Sequence, residues 1–110
     1  ETFKDIDDIE MMPIHDEFEH SNCWLSCILL KENSKVKPID IENALEKENI
    51  ESRPIWKPMH MQPVFENCDY IDNGGIGEDI FNRGVCLPSD TKLAYEQLTE
   101  ITNDIKRLWN

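Results

Sequence analysis

The sequence has few basic residues, few glycines and no long apolar run, and each shortage excludes a class of function. Its 11 Lys and Arg face 23 Asp and Glu, giving a formal net charge of -12. A surface of that sign repels phosphate backbones and anionic headgroups, so neither nucleic acid nor a membrane is expected as a partner. The longest apolar run, Cys27 to Leu30, falls far short of the ~20 residues a membrane helix needs. Of the four glycines, Gly74, Gly75 and Gly77 form no Gly-x-Gly-x-x-Gly or Gly-Lys-Ser/Thr pattern. Glu78 and Asp79 follow at once and would repel a phosphate, so this stretch reads as a plain loop before a helix. There is no Cys-x-x-Cys redox motif. The chain opens on Glu1 without a basic-then-apolar leader; the expectation is a cut piece of a cytoplasmic protein with reduced cysteines.

What remains has the makeup of a folded domain. Hydrophobic residues make up 39% of the 110 and charged residues 31%, ordinary globular usage. A chain this long forms one domain, residues 1–110, burying roughly two-thirds of its unfolded surface. Ile9 to Met12 reads as a short strand closed by Pro13, followed by a polar loop from His15 to Asn22. Cys23 to Leu30 is apolar on both alternating faces, the pattern of a central strand. Pro38 opens a helix carrying Ile41, Ala44 and Leu45. Ile50 to Arg53 re-enters the sheet until Pro54 removes a ladder donor. Glu78 to Arg83 forms a helix that Gly84 ends, and Val85 to Leu87 a strand stopped by Pro88. Ala94, Leu98, Ile101, Ile105 and Leu108 define the buried stripe of a last helix, with Ser89, Asp90 and Thr91 offering cap oxygens. The order strand, strand, helix, strand, helix, strand, helix predicts an α+β fold: a small, mainly antiparallel sheet with helices packed on one face.

Chemistry-bearing residues gather in one place. Pro54, Pro58 and Pro63 stiffen a loop that also holds Trp56, Met59, His60, Met61 and Phe65. His60 suits either a satisfied structural role or contact with a substrate. Arg53 has the planar fork for a carboxylate or phosphate, yet an ordinary salt bridge is equally open to it. Trp56 fits packing or base stacking. Cys23 and Cys27 only loosely meet zinc-ligand spacing, so no metal is expected. No general acid/base pair stands out, and no catalytic residue is assigned.

The segment Glu51-Ser52-Arg53-Pro54-Ile55-Trp56-Lys57-Pro58-Met59-His60-Met61-Gln62-Pro63-Val64-Phe65 closely resembles a stretch of the DegT/DnrJ/EryC1/StrS family of sugar aminotransferases. The run Gly77 to Ser89, the final amphipathic helix and Ser21-Asn22-Cys23-Trp24 are similar to later and earlier parts of the same family, in the right order. The resemblance implies the C-terminal small domain of a fold-type I enzyme, with the large domain that carries the cofactor lysine outside this chain. It also implies pyridoxal phosphate as cofactor of the full-length enzyme, with none held by this chain alone. A nucleotide-sugar substrate, an amino-acid donor such as glutamate, a homodimer and a role in surface glycan synthesis follow from the same likeness. The Arg-Pro-x-Trp-Lys-Pro-x-His string resembles enzymes acting on UDP-linked 4-keto sugars. Arg53, Trp56 and His60 would then approach the substrate. One branch of the family has histidine in place of the cofactor lysine and dehydrates sugars, and this chain does not separate the branches. The reading from another class is an independent acidic interaction module that uses the Trp56 to Phe65 loop.

Overall fold

The computed structural model describes residues 2–13, 17 and 20–110. His15, Asp16, Phe18 and Glu19 of the expected polar loop lie outside the described residues.

The elements run β1 (Ile9–Met11), β2 (Ser26–Leu30), α1 (Pro38–Lys47), β3 (Arg53–Pro54), α2 (Ile76–Arg83), β4 (Gly84–Leu87) and α3 (Tyr95–Lys106). Among the described residues the four strands form one sheet in the order β1-β2-β4-β3, and every neighbouring pair is antiparallel. The expected α+β class and element order are both present.

One face of the sheet carries the core. Ile28 and Leu30 of β2 and Val85 and Leu87 of β4 alternate inward, as the two-residue period of a strand requires. They meet Ile41 and Leu45 of α1 and Ile101 and Ile105 of α3. Pro38 begins α1 with the fixed φ a first helical turn wants, and the Asp40 carboxylate accepts the Lys37 N–H at 2.8 Å. The two ends of the chain are tied together: Trp109 Nε1 donates to Asp8 at 3.0 Å and Lys106 Nζ reaches Asp5 at 2.9 Å. These bonds hold both carboxyls below the ordinary aspartate value.

Four local expectations need correction. The strand expected from Ile50 to Arg53 is only Arg53–Pro54, with Pro54 inside it. The strand expected from Cys23 starts only at Ser26. Cys23 takes φ 52, and the side chains of Ser21 and Asn22 accept the N–H groups of Cys23 and Trp24, both at 3.1 Å, so local turns win over the ladder. The cap of α3 is not Ser89, Asp90 or Thr91. Asp90 accepts the Lys92 N–H at 2.9 Å, Ser89 accepts the Ser26 N–H at 2.7 Å, and the helix begins at Tyr95, where Gln97 reaches back to the Ala94 N–H at 2.9 Å. Finally, the buried stripe of α3 is shorter than its periodicity. Ala94 and Leu98 are exposed, and burial starts at Ile101, so the apolar spacing runs on past the part of the helix that packs on the core.

The second face is built differently. Gly84 follows α2 directly, and a Cβ there would collide with the Ile55 side chain and lie 2.6 Å from the Ile80 carbonyl oxygen. Glycine is required at this point by close approach, not by a turn. Arg83 fastens the junction, donating to Asp79 at 2.7 Å and to the Leu30 carbonyl at 2.6 Å.

Candidate functional site

A groove of about 710 Å³ opens on this second face, lined by Arg53 to Lys57, Leu25, Phe81 and Pro88, with Cys86 also in the lining. Its wall is set by two devices. The short β3 pairs Arg53 with Cys86 and Pro54 with Val85, which anchors one end of the proline-rich loop on the sheet. Beyond it, two 3₁₀ turns, Met59–Met61 and Pro63–Phe65, compact the loop, and Gln62 donates to the Lys57 carbonyl at 3.1 Å.

His60 lies on the inner side of that loop. Its side chain is only 17% exposed; Nε2 sits 2.7 Å from Glu78 Oε1 on α2, and the ring stacks on Tyr70 with centroids 3.7 Å apart. Partial desolvation, then the Asp72 and Glu78 carboxylates, push the Tyr70 phenol above its ordinary value. The contact therefore clamps the loop to α2, and His60 is not among the residues lining the groove.

The other two candidates do line it. Trp56 is 63% exposed and Trp24 68%, and their ring centroids lie 6.0 Å apart at 44°, a tilted and largely exposed pair. Arg53 Nε donates to Glu51 at 2.9 Å, but both side chains are about three-quarters exposed (75% and 73%). An ion pair so exposed contributes little, so the guanidinium can exchange Glu51 for another anion at small cost. Trp24 and Phe81 are not among the site candidates read from the sequence, although both fall in segments that carry the family resemblance. The sequence pattern places Trp24 in a strand, whereas the strand starts at Ser26 and the Trp24 ring lies beside Trp56.

These residues do not fit a complete pyridoxal phosphate site. The cations lining the groove are Arg53 and Lys57, and both are exposed. The Gly74–Gly75 turn offers no phosphate cup, since Asp72 already accepts the Gly75 N–H at 2.8 Å. Among the described residues no group of three or more His, Cys, Asp or Glu could hold a metal ion. No helix of the described residues is long and apolar enough to cross a membrane.

Comparison with known proteins supplies the context. Over 93 residues the chain is 37% identical to EpsN of Bacillus subtilis (strain 168), provisionally named a pyridoxal phosphate-dependent aminotransferase, covering 82% of this chain and 24% of that protein. It is 32% identical over 101 residues to the GDP-perosamine synthase of Vibrio cholerae, covering 90% of this chain and 28% of that protein. The chain thus spans about a quarter of the length of these relatives. Among solved structures, PseC of Helicobacter pylori, an aminotransferase involved in the biosynthesis of pseudoaminic acid, superposes with TM-score 0.76 at 20% identity, covering 96% of this chain and 28% of PseC. A GDP-4-keto-6-deoxymannose-3-dehydratase holding a trapped PLP-glutamate geminal diamine superposes with TM-score 0.75 at 18% identity, covering 94% of this chain and 27% of that one. At these identities the superpositions establish the fold. A family model matches residues 1–106, nearly the whole sequence, and the chain belongs to the DegT/DnrJ/EryC1/StrS aminotransferase family.

Proposed function

We propose that residues 1–110 are the C-terminal small domain of a pyridoxal phosphate-dependent enzyme that aminates a nucleotide-linked keto-sugar, and that their groove forms one wall of the substrate cleft. The cofactor lysine and the phosphate-binding residues then lie in the large domain, outside this chain. The observation that carries the reading is the uncovered Trp24–Trp56 pair beside an exchangeable Arg53, held on a loop clamped through His60 and Glu78. Flat aromatic faces next to a guanidinium suit a ligand that combines a base or sugar ring with phosphate. The full-length protein acts as a cytoplasmic homodimer with glutamate as donor, in surface glycan synthesis.

For the carrier nucleotide we propose UDP, on the strength of the Arg53 to His60 string. A GDP-linked sugar is the competing reading, favoured by the Vibrio cholerae relative. The dehydratase among the structural neighbours favours a second reaction on the same scaffold, loss of water in place of gain of nitrogen. One assay separates all of these: full-length protein, glutamate, and either a UDP- or a GDP-linked 4-keto sugar, with the product followed by mass spectrometry. A product that has gained nitrogen from glutamate supports the aminotransferase, and the faster carrier names the nucleotide. A product that has lost water assigns the dehydratase branch, and no conversion of either sugar contradicts the proposal.

A further inference from the structure

Cys27 and Cys86 stand directly opposite each other in the antiparallel register of β2 and β4. Their neighbours Ile28 and Val85 enter the core, so both thiols point to the second face, where the sulfurs lie 3.6 Å apart. Facing residues of an antiparallel pair have Cα atoms about 4.5 or 5.5 Å apart, inside the range of roughly 4.4 to 6.8 Å that a disulfide bridges. Closing the remaining gap needs rotation about the side chains, not movement of the strands. We propose that Cys27 and Cys86 form a cross-strand dithiol that small disulfides oxidise reversibly to an intramolecular disulfide.

Access comes from both sides. Cys86 contributes to the groove lining, and Cys27 lines a neighbouring hollow of about 270 Å³ with Met11, Leu29, Ile55 and Ile80. Cys27 is half-buried, whereas Cys86 is 7% exposed and its thiol is pushed up to about 11, by burial first and by the Cys27 sulfur next. Cys27 therefore attacks first. Its sulfur, having lost a proton to solvent, displaces one thiolate from the small disulfide and forms a mixed disulfide. Cys86 then gives up its proton, its sulfur attacks the Cys27 sulfur, and the second small thiolate leaves. Two protein thiols lose two electrons and two protons, and the reagent is reduced to two thiols. With a net charge of -12, the chain favours a cationic reagent, so cystamine is the probe.

The test uses the full-length protein in a Cys23→Ser background, where trypsin releases residues 5–31 and 84–92 with one cysteine each. After cystamine and alkylation, the expected species is peptide 5–31 joined to peptide 84–92, separated by reductant. With Cys86→Ser added, Cys27 is expected to stop as the cysteamine mixed disulfide. The proposal is overturned if Cys27 retains cysteamine while Cys86 is alkylated as a free thiol. It is equally overturned if both remain free while the exposed Cys68 is modified.

Discussion

The two faces of the sheet use the same strands for opposite purposes. On the first, Ile28, Leu30, Val85, Ile41, Leu45 and Ile105 are all 0–1% exposed, and two helices seal them. On the second, Trp24 and Trp56 stay more than 60% exposed, Trp56 in the groove lining and Trp24 beside it, and the loop there is held by one histidine-carboxylate contact, a ring stack and prolines. Hydrophobic burial supplies stability where nothing else must happen. Polar clamps and stiff backbone supply position where a surface must remain open.

That contrast is breakable by mutation. The largest effect is expected on the sealed face: Ile41→Ala should cost about 2–5 kcal/mol in a denaturant titration, because a fully buried side chain leaves a cavity. Next comes the junction, where Gly84→Val should cost about 1–3 kcal/mol, since the new side chain meets Ile55 and the Ile80 carbonyl. Leu98→Ala, which the helical spacing alone would place at 2–5 kcal/mol, should cost only about 1 kcal/mol because Leu98 is 42% exposed. Trp56→Ala should change stability by less than about 0.5 kcal/mol yet raise KM for the sugar nucleotide up to roughly tenfold in the full-length enzyme. An equal loss of stability in Ile41→Ala and Trp56→Ala would erase the distinction between the faces. The acid response sharpens it further. Asp5 and Asp8 have folded values below the ordinary 3.8, so their contribution is present above 3.8 and is lost as the pH falls below it. Asp8→Asn should flatten the acid limb of a stability-versus-pH curve.

The sealed face was largely legible in the sequence because burial has a period. Ile28, Leu30, Ile41, Leu45, Ile101 and Ile105 follow two- or three-and-four spacing, and the elements fall in the predicted order. The errors came where periodicity continues past the contact it reports, as at Leu98, or where side chains capture the backbone, as at Ser21 and Asn22. The open face was legible only as a composition of prolines, aromatics, Arg53 and His60. Its contacts join residues far apart in the chain: His60 finds Glu78, 18 positions on, and Trp56 finds Trp24. No local pattern encodes such pairs. The family likeness marked the segment but not that His60 braces it from behind.

The central claim is that the second face, and not the first, meets the sugar nucleotide. Hydrogen-deuterium exchange of the full-length protein with and without a UDP-linked sugar tests it most directly. Protection is expected at residues 24–25 and 51–57, with exchange in α1 and α3 unchanged. Protection confined to α1 and α3, or none in residues 51–57 at saturating ligand, would contradict the assignment.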